Sequence, residues 1–88
     1  MPSLDQMSEP ELIAELRRVA DTLERLNQEV ARAIERQRFS REAQEVARAA
    51  QDEQAALAAM NRLMDRRRAV EGHLMRVRGQ LRPLKWDE

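Results

Sequence analysis

Arginine is the most abundant side chain in this sequence that could bind a ligand, and it clusters in the last third of the chain. Arg66, Arg67 and Arg68 are consecutive, and Arg76 and Arg78 follow shortly after them. Guanidinium groups on a helix can neutralise phosphates without reading base sequence. However, the 16 basic residues are balanced by 16 acidic ones, and no aromatic residues that would stack on bases alternate with the arginines. We therefore treat a nucleic-acid-associated dimer as the alternative function.

Side chains that support catalysis or metal binding are sparse. His73 is the only histidine and cysteine is absent, which excludes a thiol nucleophile and a zinc site of His and Cys ligands. The hydroxyls have no His or Lys arrangement that would activate them, and there is no Gly-rich phosphate loop. We therefore predict a non-enzymatic protein without metal, cofactor or small-molecule substrate.

The elements that carry these residues are predicted to be helices. No Gly or Pro occurs between Glu11 and Glu71, and Ala, Leu, Glu, Gln and Arg, which favour helix, dominate this stretch. Ser8 followed by Glu11 forms a capping box, which predicts the start of the first helix. Alternating patterns typical of strands are missing, so the predicted fold class is all-α.

Two apolar stripes indicate that the chain folds back on itself. Each has the 4–3 spacing of a heptad repeat, and they are mirror images about residue 38. The first contains Leu12, Leu16, Val19, Leu23, Leu26 and Val30, and the second contains Val46, Ala50, Glu53, Leu57, Met60 and Met64. The pattern predicts an antiparallel helical hairpin with helices over about 9–36 and 41–80 and a turn at about 37–40. The alternative is one long continuous coiled-coil helix, roughly 100 Å in length.

The hairpin is predicted to form one domain over residues 8–82. Residues 1–7 have no strong pattern and are expected to form a flexible lead. Pro83 restricts the backbone before it, so residues 83–88 are expected to form a C-terminal tail outside the helix.

A further stripe at steps of seven predicts contacts beyond the hairpin. One hairpin cannot bury this stripe as well as the other two, whereas two hairpins can do so in a four-helix bundle. We therefore predict a homodimer with an interface at Ala49, Ala56 and Leu63. The second helix is longer than the first, so its uncovered end and the tail are predicted to bind a partner protein. That predicted surface consists of Val70, Leu74, Val77, Leu81 and Trp86.

These features together predict a protein–protein interaction module that binds through an apolar helix face, acting as an adaptor, chaperone, assembly subunit or small inhibitor. No apolar run is long enough to span a membrane, and none follows the N-terminus as in a signal peptide. The expected location is the cytoplasm.

Overall fold

Two long antiparallel helices make up the fold. The computed structural model describes residues 3–81, with side chains as far as Gly79. A 3₁₀ turn at Leu4–Gln6 precedes helix α1 (Glu9–Phe39), and a short connection leads to helix α2 (Ala43–Leu81). The molecule measures 66 × 30 × 15 Å. This is much shorter than the roughly 100 Å of a continuous helix, so the predicted hairpin is confirmed and the single-rod alternative is wrong.

The N-terminus of α1 is fixed by the predicted capping box. The backbone N–H of Glu11 donates to Ser8 Oγ at 3.3 Å, and the backbone N–H of Ser8 donates to Glu11 Oε1 at 3.0 Å. This second bond and the Ser8 hydroxyl lower the pKa of the Glu11 carboxyl below its ordinary value. Pro10 lies in the first turn. Backbone N–H groups in this turn have no partner within the helix, so a proline, which has no N–H, costs no hydrogen bond there.

The turn lies later in the chain than the sequence predicted. Helix α1 continues to Phe39, and α2 begins only at Ala43. The N–H of Ser40 donates to the carbonyl of Arg36 at 3.0 Å, and the Ser40 hydroxyl accepts from the N–H of Glu42 at 3.3 Å. The connection is therefore centred on residue 41 rather than on residue 38.

This displacement changes which stripe of α2 faces α1. Leu12 packs with Val70 in the core, and Val19 and Leu63 line the same interhelical space. On α2, the residues that the mirror about residue 38 assigned to the inside of the hairpin lie to one side of it, whereas Leu12, Val19 and Leu26 of α1 stay inside. We call the inward-facing residues the seam. The seam consists of Leu12, Val19, Leu26 and Ala33 from α1 and of Ala49, Ala56, Leu63, Val70 and Val77 from α2.

From Ser3 onward, the segment expected to form a flexible lead adopts a 3₁₀ turn that packs on the hairpin. The N–H of Ser3 donates to Gln6 Oε1 at 3.2 Å across the 3₁₀ turn. Leu4 and Met7 pack against the buried cluster at the open end of the hairpin, and Asp5 Oδ1 lies 3.3 Å from His73 Nδ1. The segment therefore covers the part of α2 that extends beyond α1. Within residues 3–81, neither helix has a stretch apolar enough to cross a bilayer.

Candidate protein-interaction surfaces

The residues predicted to bind a partner lie inside the hairpin. Val70 is completely buried, Leu74 is 6% exposed, and Val77 packs against the same cluster. The open surface that the prediction required is therefore absent at these three positions, because Leu12 of α1 packs with Val70 and because Leu4 and Met7 fold over the end of α2. The structure describes no side chain at Leu81, and Trp86 falls outside the part of the chain that it describes.

The predicted dimer interface is occupied by α1 of the same chain. Ala49 and Ala56 are buried, with 0% and 4% exposure, and Leu63 is half-buried opposite Val19. A second copy could reach these residues only by opening the hairpin. The stripe at steps of seven therefore belongs to the seam, because the turn lies later than the sequence predicted, and not to the open surface on which the predicted dimer interface depended.

The arginines predicted to contact nucleic acid are not brought together. They point in several directions around α2, because consecutive residues are separated by about 100° in a helix. Arg76 is exposed and forms no ion pair within residues 3–79. The other four pair with carboxylates (Arg66 with Glu15, Arg67 with Glu71, Arg68 with Asp65, and Arg78 with Glu9).

One broad side of the hairpin is apolar. Most of its residues belong to the stripes that the sequence assigned to the interior, and all of them are half-buried or exposed. Ile34 and Leu57 keep 39% and 37% of their surface exposed. We call this side the apolar face. It is formed by Ile13, Leu16, Leu23, Val30 and Ile34 from α1 and by Val46, Ala50, Leu57, Met60 and Met64 from α2.

Polar contacts frame the apolar face near both ends. Towards the turn, Gln37 Nε2 donates to Glu53 Oε1 at 2.7 Å. At the open end, Arg78 Nε donates to Glu9 Oε1 at 2.8 Å. The remaining large exposed apolar side chains, Phe39 and Met75, stand apart at the tip and on the outer side of α2, so they do not extend this face.

The opposite side of the hairpin is charged. Glu15 is only 6% exposed, and its carboxylate accepts from Arg66 Nε at 3.0 Å and also pairs with Arg18. Burial by itself would raise the pKa of Glu15, but the hydrogen bonds and charges of the two arginines outweigh it and lower this pKa. Arg36 donates to both Glu45 and Asp52, at 2.8 and 2.9 Å, and these bonds raise its pKa.

A groove runs along the charged side between the two helices. It contains two open cavities of about 440 and 350 Å³. Seam residues form its floor, namely Val19, Leu26, Ala56 and Leu63. The groove exists because α2 has small side chains, Ala55 and Ala59, on this side.

The two surfaces contain no evident site for a metal ion. Among the residues that the structure describes, no three His, Asp or Glu side chains are arranged to hold one. Comparisons with protein-family models, with curated proteins and with solved structures give no significant match to this chain.

Proposed function

We propose that this protein is a non-enzymatic interaction module that self-associates through its apolar face into a four-helix bundle. The observation that carries the proposal is the single-layer architecture. The hairpin is only 15 Å thick, and one layer of helices cannot enclose a core on both of its sides. Neither side has a second layer, and the apolar face is the side that leaves large apolar residues such as Ile34 and Leu57 partly exposed.

The size of this face fits a dimer. From Ile13 to Ile34 it extends for roughly 32 Å at the rise of an α-helix. Two packed α-helices are together about 20 Å wide, so the face covers roughly 640 Å², at the lower end of the ~600–1,000 Å² that each partner buries in a stable complex. Stacking two faces would therefore supply an interface of ordinary size.

The arrangement of residues on the face favours a second copy over an unrelated protein. A two-fold axis requires that residues at equal distances on either side of it complement each other. Leu23 and Met60 lie level with each other in the hairpin register, near the middle of the face. A two-fold axis that runs across both helices at this level would place each helix antiparallel on the same helix of the second copy.

Residues to either side of Met60 are complementary under this axis. Glu53 lies seven residues before Met60, and Arg67 lies seven residues after it. The axis therefore brings Glu53 to Arg67 of the partner subunit, and it brings Leu16 to Val30 of the partner subunit. Glu53, which frames the face near the turn, thus meets a base, and apolar residues meet apolar ones.

The proposal is tested by the molar mass of the full chain in solution. We expect light scattering to give about twice 10.3 kDa. Leu57→Glu, in the middle of the apolar face, should reduce the mass to that of the monomer. Ala58→Glu places the same charge one residue later, on the outer side of α2, and should leave the dimer intact.

A monomeric mass for the unmodified chain at high micromolar concentration would overturn the proposal. Equal dissociation of both variants would also overturn it, because the effect would then follow from added charge and not from the apolar face. Circular dichroism of both variants shows whether each remains helical.

A further inference from the structure

The side of the hairpin opposite the apolar face has a regular arrangement of arginines. On α1 they recur every seven residues, and on α2 every fourteen, with Ala55 and Ala69 between them. All are exposed and flank the groove described above. We call the groove with these flanks the arginine-rimmed groove. Its rim consists of Arg18, Arg25 and Arg32 from α1 and of Arg48, Arg62 and Arg76 from α2.

The hairpin register sets arginines opposite each other across the groove. Arg32 lies level with Arg48 near the turn, and Arg18 lies level with Arg62 towards the open end. These two levels are fourteen residues apart, or roughly 21 Å along the helices. The apolar floor lies between them.

The rim carries positive charge that the hairpin does not neutralise. Within residues 3–79, Arg25, Arg32, Arg48, Arg62 and Arg76 form no ion pair with a carboxylate. Positive charges along a low-dielectric groove attract anions more strongly than the same charges on a convex surface.

Most of the acids along the groove are already bound by other arginines, and Glu29, which also lines the groove, is the exception among residues 3–79. Glu15 is held by Arg18 and Arg66, and Glu45 and Asp52 are both held by Arg36. Glu29 alone cannot balance the unpaired arginines of the rim, so the groove keeps an excess of positive charge that an acidic partner would neutralise.

We propose that the arginine-rimmed groove binds an acidic amphipathic helix of a partner protein. The apolar floor fits the apolar stripe of such a helix. The rim spacing of seven residues, roughly 10 Å, equals one heptad of a helix lying alongside. Glu or Asp residues flanking the stripe would therefore meet successive arginines.

Shape and chemistry favour a helix over a nucleic acid. The floor is aliphatic and has no aromatic side chain on which bases could stack. The site lies on the side of the hairpin away from the proposed dimer interface, so it does not depend on self-association. A dimer formed through the apolar faces would present two such grooves outward.

The test is fluorescence anisotropy with the full chain and a labelled synthetic helix of about 21 residues, roughly 31 Å long. The peptide has a heptad stripe of Leu flanked by Glu, and a second peptide has Lys in place of each Glu. A single-stranded DNA of about the same length is the third probe. We expect saturable binding of the Glu peptide and at least tenfold weaker binding of the other two probes.

Paired variants locate the binding site. Arg32→Glu with Arg48→Glu should weaken binding of the Glu peptide at least tenfold. Arg17→Glu with Arg38→Glu makes the same change in charge on the outer side of α1, and it should change the affinity by less than twofold.

Several outcomes would overturn the inference. One is that the Glu peptide fails to bind, and another is that both pairs of variants weaken its binding equally. Loss of peptide binding with Leu57→Glu but not with the rim variants would place the peptide on the apolar face. Tighter binding of DNA than of the peptide, with a steep dependence on salt, would assign the rim to phosphates instead.

Discussion

Glu15 and Arg66 are 51 residues apart in sequence and joined by two contacts, from Arg66 Nε and Nη2 to Glu15 Oε2 at 3.0 and 2.9 Å. Glu15 is the one charged residue buried within the described part of the chain. A buried carboxylate is costly unless it is paired, so a register that separated it from Arg66 would be penalised. This pair therefore favours the observed alignment of the two helices over other registers.

Removing the Glu15 carboxylate should destabilise the hairpin. We expect Glu15→Ala to lower the free energy of unfolding by roughly 1.5–3 kcal/mol, the usual range for a hydrogen bond to a charged group. Urea denaturation at a fixed protein concentration measures this change. Glu24→Ala, on the exposed outer side of α1, is the matched control and should have an effect within about 0.5 kcal/mol. Equal effects of the two substitutions would show that the buried pair contributes nothing specific.

Stability should fall as the solution is acidified, in part through the same residue. The folded protein lowers the pKa of Glu15 from its ordinary value of 4.5. A lowered pKa stabilises the fold above the ordinary value, and that contribution is lost as the pH falls through the folded pKa. Urea midpoints between pH 7 and pH 3 should therefore decline less for Glu15→Gln than for the unmodified chain. Parallel curves would contradict this assignment.

Exchanging two charges tests the proposed dimer geometry. We expect Glu53→Arg or Arg67→Glu alone to weaken self-association, because each would place like charges together across the two-fold axis. The double variant restores opposite charges and should recover most of the affinity. Sedimentation equilibrium measures the three dissociation constants. Additive losses in the double variant would rule out this axis, whether or not a dimer forms.

Gly72 offers a stabilising substitution. It lies inside α2, and a Cβ built on it has no atom within 4 Å. Glycine in a helix interior costs about 0.5–1 kcal/mol relative to alanine, so Gly72→Ala should raise the free energy of unfolding by this amount. Thermal denaturation followed by circular dichroism would show a higher midpoint. A lower midpoint would mean that another molecule approaches the backbone at this position.

The sequence by itself determined the helices and their N-terminal cap. Long runs of helix-forming residues and the reciprocal bonds between Ser8 and Glu11 are local properties, so they could be read without a fold. The apolar stripes were likewise visible, since they depend only on helical periodicity. Their mirror relation also indicated that the chain folds back, although the predicted centre of the turn lay three residues too early.

Only the tertiary structure decided which stripe of α2 faces inward. The stripe through Val46, Ala50 and Leu57 and the stripe through Ala49, Ala56 and Leu63 are both apolar and lie side by side, so periodicity cannot rank them. The position of the turn decides between them, and no Gly or Pro marks it.

A turn centred three residues later moves every helix pairing by six residues. On α2, the new register places the stripe through Ala49, Ala56 and Leu63 in the seam. The stripe through Val46, Ala50 and Leu57, predicted to lie inside, becomes part of the apolar face. The new register also brings the Glu15 carboxylate to Arg66 and the Arg36 guanidinium to Glu45. The physical reason is that hydrophobic burial tolerates either stripe, whereas charges near the seam are stabilised only in the register that pairs them.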